Sequence, residues 1–274
     1  MIEGWEWDES LFAGAARYYR RGRLPYAPGF AAAIAEELAL DGRGRLLDVG
    51  CGPGTVTVPL APWFAEVVGL DPDGGMLAEA ARQGVTDARW VRARAEDLPA
   101  GLGVFRVVTF AQSFHWVDRA RVAATVLGML EPGGAIVHIS DVQDPPPSPV
   151  PLPRPLPPYE RIGELVRRYL GPDRRAGQGT IAGGRTPGRE DLVIAAAGFV
   201  AARRVTVPAG RPVERGTDDL VAWTLSLSGS APHLFGDRLG DFERDLRALL
   251  DDAGGRFAEQ RRPTDLQFWR KPDR

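Results

Sequence analysis

The stretch Arg45–Leu60, RLLDVGCGPGTVTVPL, constrains this chain more than any other. An apolar strand pattern at Leu46, Leu47 and Val49 runs straight into glycines at alternate positions, Gly50, Gly52 and Gly54. A helix pattern is predicted from Thr55. Glycine lets the backbone turn sharply there, and lets a ligand come close where a Cβ would block it. Strand, glycine turn and helix start together predict the ligand-binding corner of an open α/β sheet.

The flanking pattern extends that sheet. Strands are predicted at 46–49, 67–70, 88–91, 105–110 and 135–139, with helical patterns at 29–40 and 55–65, one opening at Gly74-Gly75 with Met76, Leu77 and Ala80 inward, and one carrying Val122, Val126, Met129 and Leu130. Pro59 and Pro62 lie awkwardly in the second of these helices. Strands alternating with crossover helices specify a parallel sheet covered on both faces. The alternation stops at the proline-rich run 145–158, which reads as a stiff connector, with the sharper alternative of a ligand for a proline-recognition domain. Beyond it, helices are predicted at 159–170 and 190–197, and two more within 217–250. Strands 199–207 and 265–270 are suited to antiparallel pairing.

The ligand follows by elimination. No lysine follows Gly54, so the turn is not a P-loop. A dinucleotide fingerprint needs glycine where Thr55 stands. Asp48 ends the first strand, where its charge would repel a diphosphate and attract a cation. Asp71 ends the second strand, where a carboxylate can take both hydroxyls of a ribose. The implied ligand is an adenosine with a positive, phosphate-free tail, as in S-adenosylmethionine.

LLDVGCGPGT, VVGLDPDGGML, RAEDLP, VVTFAQSFHWVD and LEPGG resemble, in order, the motifs of class I S-adenosylmethionine-dependent methyltransferases, with the UbiE-like small-molecule branch nearest. YYRRGRLPYAPG is similar to a segment common in that branch, with Leu24 in place of a proline. The resemblance implies a Rossmann-like, doubly wound, seven-stranded and mostly parallel sheet with an antiparallel last strand, plus a largely helical cap. It also implies that Asp48, Gly50 and Gly52 line the methionine moiety, Asp71 holds the ribose, and Pro72 and Met76 flank the adenine. Glu96, Asp97 and Leu98 would meet the adenine edge, Asp97 being the better acceptor for its amino group. Ala111 and Gln112 would floor the sulfonium, and Tyr19 and Arg23 would lie near the methionine carboxylate.

His115 is the candidate base, since imidazole titrates near neutrality; a packing role beneath the ligand is the plainer alternative. His233 is a second candidate, and His138 reads as core. No metal-ligand spacing is present. Four segments are expected: an aromatic N-terminal lid at 1–30, the cofactor-binding core at 31–142, a connector and cap insertion at 143–190, and a C-terminal part of the core with helical cap elements at 191–274. The expected function is methyl transfer to a small molecule, giving S-adenosylhomocysteine. The alternatives are an NAD-dependent oxidoreductase with an atypical glycine loop, or a non-catalytic binding module. With 34 basic and 36 acidic side chains, the formal charge of −2 gives no support for nucleic-acid or anionic-membrane binding. The single Cys51 excludes an internal disulfide. The N-terminus carries no signal pattern and no run of 18 apolar residues occurs, so a cytoplasmic monomer or homodimer is expected.

Overall fold

A computed structural model describes residues 10–143, 150–172, 175–176, 179–180 and 189–272. Trp5 and Trp7 of the expected lid, and most of the glycine- and arginine-rich stretch 171–188, lie outside the described residues.

Short turns lead into helix α1 (Ala16–Gly22), which is shorter than the apolar spacing of 8–21 suggests, and α2 is Phe30–Glu37. Strand β1 is Arg45–Val49. Helix α3 (Thr57–Leu60) is a single turn continued as a 3-10 turn at 61–63, so the expected helix to residue 65 is cut short. Pro59 and Pro62 each lack the N–H that would extend it. Then come β2 (Glu66–Asp71), α4 (Gly74–Ala81), β3 (Ala88–Arg92), β4 (Phe105–Ala111), α5 (Arg119–Met129) and β5 (Leu130–Asp141). Strand β5 absorbs Pro132-Gly133-Gly134, expected as a turn.

Past the connector lie α6 (Tyr159–Leu170), the two-residue strands β6 (Arg175–Ala176) and β7 (Gly179–Thr180), α7 (Glu190–Ala196) and β8 (Val200–Val207). The chain goes on through β9 (Val213–Gly216), α8 (Thr217–Leu225), α9 (Leu239–Asp252), β10 (Arg256–Glu259) and β11 (Thr264–Arg270).

Seven strands form one sheet in the order β3-β2-β1-β4-β5-β11-β8. Strand β11 alone runs antiparallel, and it pairs with both β5 and β8. The predicted pairing of 199–207 with 265–270 is therefore present, with β11 inserted between β8 and the rest. Fully buried Leu46, Leu47 and Val68 reflect a sheet covered on both faces. One core, with Phe105, Phe110 and Phe114, lies on one face; another, with Ile34, Leu60 and Phe268, lies on the other.

A third core builds the cap from Ile162, Leu165, Leu225, Phe242, Leu246 and Phe257. The antiparallel pair β9–β10, which the sequence does not predict, brackets α8 and α9 and closes it. The connector is tied down here, since Ala258 N donates to Pro155 O at 3.0 Å. Among the described residues no helix is long and apolar enough to cross a membrane.

Candidate active site

The C-terminal tips of β1, β2, β4 and β5 converge on the glycine turn, where parallel sheets place their ligands. Gly50 has φ 70° and Gly52 φ 53°. The segment after β4 folds over the first of them. Ser113 Oγ donates to Val49 O at 2.6 Å, and a Cβ on Gly50 would stand 2.5 Å from Ser113 Cβ. A Cβ on Gly52 would meet no protein atom within 4 Å, because the cavity lies ahead of it.

Every N–H of this turn is spent inside the protein. Gly50 N and Cys51 N donate to Leu70 O at 2.8 and 3.0 Å, Gly52 N to Asp71 Oδ2 at 2.8 Å, and Gly54 N to Cys51 O at 3.1 Å. Residue 53 is proline and has none. A phosphate-cradling loop needs those donors free. Within residues 50–54 no backbone N–H is left for a diphosphate.

Asp71 is 8% exposed and receives one backbone N–H on each oxygen, from Gly52 on Oδ2 and from Asp73 on Oδ1 at 2.9 Å. A carboxylate oxygen can accept more than one hydrogen bond, so both retain acceptor capacity. Burial pushes the carboxyl up to about 6, against the lowering effect of those two N–H bonds. Asp73 caps α4, accepting from Gly75 N at 2.7 Å and Met76 N at 3.2 Å, which fixes Met76 beside Asp71.

Asp48 departs from its expected part. It is fully buried; Oδ2 accepts from Thr57 Oγ1 at 2.6 Å and Oδ1 from Thr109 Oγ1 at 2.8 Å. It fastens β1 to α3 and β4. It borders the cavity, but its oxygens serve the protein's own hydroxyls, so its attraction for a cation acts only at range. Burial raises its pKa, and the two hydroxyls oppose the rise.

Two adjoining cavities open here. The first, about 830 Å³, is lined by Leu70, Asp71, Pro72, Met76 and Glu96. The second, about 1090 Å³, is lined by Arg23, Tyr26, Asp48, His115, Asp141 and Arg262. Phe12, Tyr19, Gly50, Gly52, Ala111, Gln112 and Trp116 border both. Phe12 and Trp116 meet edge to face at 6.0 Å. Gln112 is held at φ 52°, a conformation uncommon outside glycine.

Three predicted site residues line neither cavity. Asp97 is exposed, and its Oδ2 accepts from Arg94 N at 2.9 Å, closing the 3-10 turn 95–97. Its neighbour Glu96 borders the cavity instead, with Oε1 accepting from Asp118 N at 2.8 Å. The preference for Asp97 over Glu96 is reversed by that turn's geometry. Leu98 is buried in the core. His233 is exposed, with Nδ1 3.2 Å from Ala13 O.

His115 lines the second cavity, and burial pushes its imidazole down to about 4, with Glu190 pulling the other way. It is neutral at pH 7 and a weaker base than an ordinary histidine. His138 is buried beside Phe114. Arg23 stacks over Tyr19 at 5.1 Å and donates through Nη2 to Ser226 O at 3.0 Å. Its Nε is buried without a partner among the described residues. Ser113, Asp141 and Arg262 were missed from the sequence. Asp141 carried a readable signal, because it ends β5 as Asp71 ends β2. Among the described residues no group of three or more His, Cys, Asp or Glu could hold a metal.

Residues 46–134 match a family described as a methyltransferase domain. That description does not single out the UbiE-like branch. An uncharacterized methyltransferase of Mycobacterium tuberculosis is 35% identical over 138 residues, covering 50% of this chain and 55% of that protein. An uncharacterized methyltransferase of Synechocystis sp. is 37% identical over 113 residues, covering 40% and 52%. The chain spans about half the length of the curated relatives it matches. The crystal structure of the cyclase SpnF has a TM-score of 0.51 at 20% identity, over 92% of this chain and 84% of that one, which establishes the shared fold. Over that segment the chain is similar to methyltransferases.

Proposed function

We propose that this protein transfers a methyl group from S-adenosylmethionine to a small-molecule acceptor. One observation carries the reading: a glycine turn whose backbone donors are consumed internally beside a half-committed carboxylate at the next strand tip. That pairing suits a ribose without a diphosphate, so a nicotinamide dinucleotide is the poorer fit. The match to a methyltransferase domain agrees with it. A shared fold does not fix a reaction, and the cyclase above makes the point.

The residues present fit the cofactor. Asp71 would accept both ribose hydroxyls, Met76 and Pro72 would flank the base, and Glu96 would face its edge. The space ahead of Gly52 and the floor of Ala111 and Gln112 suit the thioether end. The partnerless Nε of Arg23, beside Tyr19, suits the amino-acid carboxylate. When bound, the cofactor supplies a methyl group already activated on a sulfonium. The protein's work is then orientation, worth up to ~7–11 kcal/mol in favourable cases. Phe12, Tyr19 and Trp116, which line both cavities, give an acceptor apolar walls beside the cofactor.

Calorimetry with S-adenosylhomocysteine tests the reading. Micromolar-range binding is expected, lost on Asp71→Ala. Stabilisation by NAD and not by S-adenosylhomocysteine in a thermal-shift comparison overturns it.

A further inference from the structure

The second cavity holds a carboxylate that the fold does not use. Asp141 is the last residue of β5, and no described residue hydrogen-bonds to its side chain or ion-pairs with it. The other buried or half-buried acids around the site are engaged: Asp48 by two threonines, Asp71 by two N–H groups, Glu96 by Asp118 N. Asp141 is half-buried, and its carboxylate stays available to a ligand that enters the cleft. Its position is also specific. Gln112 N donates to Ile139 O at 3.2 Å, so Asp141 lies on the strand tip next to Gln112, one of the residues that border both cavities. The strained backbone of Gln112 stands between the proposed cofactor cavity and Asp141.

Charge around Asp141 narrows what it can receive. Arg23 and Arg262 line the same cavity and act on Asp141 electrostatically, and His115 there is neutral at pH 7. With Arg23 taken by the cofactor carboxylate, a cationic amine would still face the Arg262 guanidinium beside Asp141. An anionic acceptor would face Asp141 itself. A neutral hydroxyl is the donor that a free carboxylate takes without either penalty. The walls are aromatic, from Phe12, Tyr19, Tyr26 and Trp116.

Resting on the methyltransferase reading, we propose that Asp141 is the acceptor-binding catalytic carboxylate, and that the acceptor presents a neutral hydroxyl on an aromatic body. In the transfer the hydroxyl oxygen bonds to the methyl carbon, the carbon–sulfur bond breaks, and its electron pair stays on sulfur. The hydroxyl proton passes to Asp141 and from there to water. Burial raises the Asp141 carboxyl above its ordinary value, while Arg262 and Arg23 hold it back, which suits a group that must accept a proton and release it.

The test uses three probes that share a naphthalene ring: naphthol, naphthylmethylammonium and naphthoate. Each is titrated into the S-adenosylhomocysteine-loaded full chain by calorimetry. Naphthol is expected to bind most tightly. Asp141→Asn should weaken it about tenfold or more while S-adenosylhomocysteine affinity stays within about twofold. Preference for the ammonium or the carboxylate probe overturns the proposal. So does an Asn variant with unchanged naphthol affinity, or a loaded wild type that takes up no naphthol. If the variant does not fold, the order of the three probes on the wild type still decides. Failure of the wild type to bind S-adenosylhomocysteine at all removes the underlying methyltransferase reading, and is seen before any probe is added.

Discussion

Asp71 sits at the point where two demands meet. Its oxygens hold the glycine turn through Gly52 N and begin α4 through Asp73 N, yet they must also greet the cofactor. Burial lifts its carboxyl to about 6. The ionised form accepts hydrogen bonds on both oxygens, and the protonated form turns one of them into a donor. S-adenosylhomocysteine affinity should therefore rise as pH increases through about 6 and level off above about 7. In the unliganded protein the sign is opposite for stability. A carboxyl raised in the folded state binds protons more tightly there than in the unfolded chain, so its contribution declines as pH rises from the ordinary carboxyl value of about 4 to about 6, and is lost above that. Calorimetry from about pH 5 to about pH 8 checks the first statement; a flat profile counts against the ribose assignment. At this scale the sequence was legible where a strand tip carries an acid, as at Asp71. It misled where a neighbour claims the same atom: Thr57 and Thr109 claim Asp48, and Arg94 N claims Asp97. The claim on Asp48 from Thr109 comes from 61 positions away, which no local pattern encodes, whereas Arg94 and Asp97 are three apart within one turn.

At the scale of elements, the β1 turn and the segment after β4 approach so closely that Gly50 and Gly52 carry different burdens. Alanine at Gly50 would put its Cβ 2.5 Å from Ser113 Cβ, at φ 70°. Alanine at Gly52, at φ 53°, clashes with nothing in the protein and fills cavity instead. Both pay about 1 kcal/mol of backbone strain. Gly50→Ala should add a packing penalty of about 1–3 kcal/mol and lower the melting temperature the more. Gly52→Ala should lose cofactor affinity out of proportion to its melting shift. Paired melting and calorimetry measurements check the contrast, and equal effects in both assays would sink it. The five parallel strands were readable because buried strands give unbroken apolar runs bounded by glycine, as from Leu46 to Val49. The length of α3 was not, because two prolines in an apolar run leave the stopping point open. The insertion of β11 between β5 and β8 was also hidden, since strand order across a chain reversal leaves no periodic trace.

For the molecule as a whole, Arg215 joins the cap to the N-terminal helix. It is 4% exposed; Nη1 donates to Glu259 Oε1 at 2.6 Å, and Nη2 to Gly22 O at 2.7 Å and Asp219 O at 2.9 Å. Gly22 is pressed against the backbone of α8, where a Cβ would stand 2.4 Å from Ala222 C. Tyr159 adds its hydroxyl to Glu259. Removing one partner of a buried pair leaves the other charge uncompensated, which costs about 3–5 kcal/mol. Arg215→Ala should therefore lower the denaturation midpoint strongly, and should weaken S-adenosylhomocysteine binding because Tyr19 and Arg23 flank Gly22. Denaturant unfolding together with calorimetry checks this; a midpoint within experimental scatter of the wild type would refute it.

Strand β8 has one described neighbour in the sheet, and that neighbour is β11, which is made well after it. During synthesis the first five sheet strands can assemble as they emerge, but residues 200–207 must wait for residues 264–270 to leave the ribosome. For those roughly sixty residues of translation the nascent protein carries an unzipped edge at β5, and β11 then closes two seams at once.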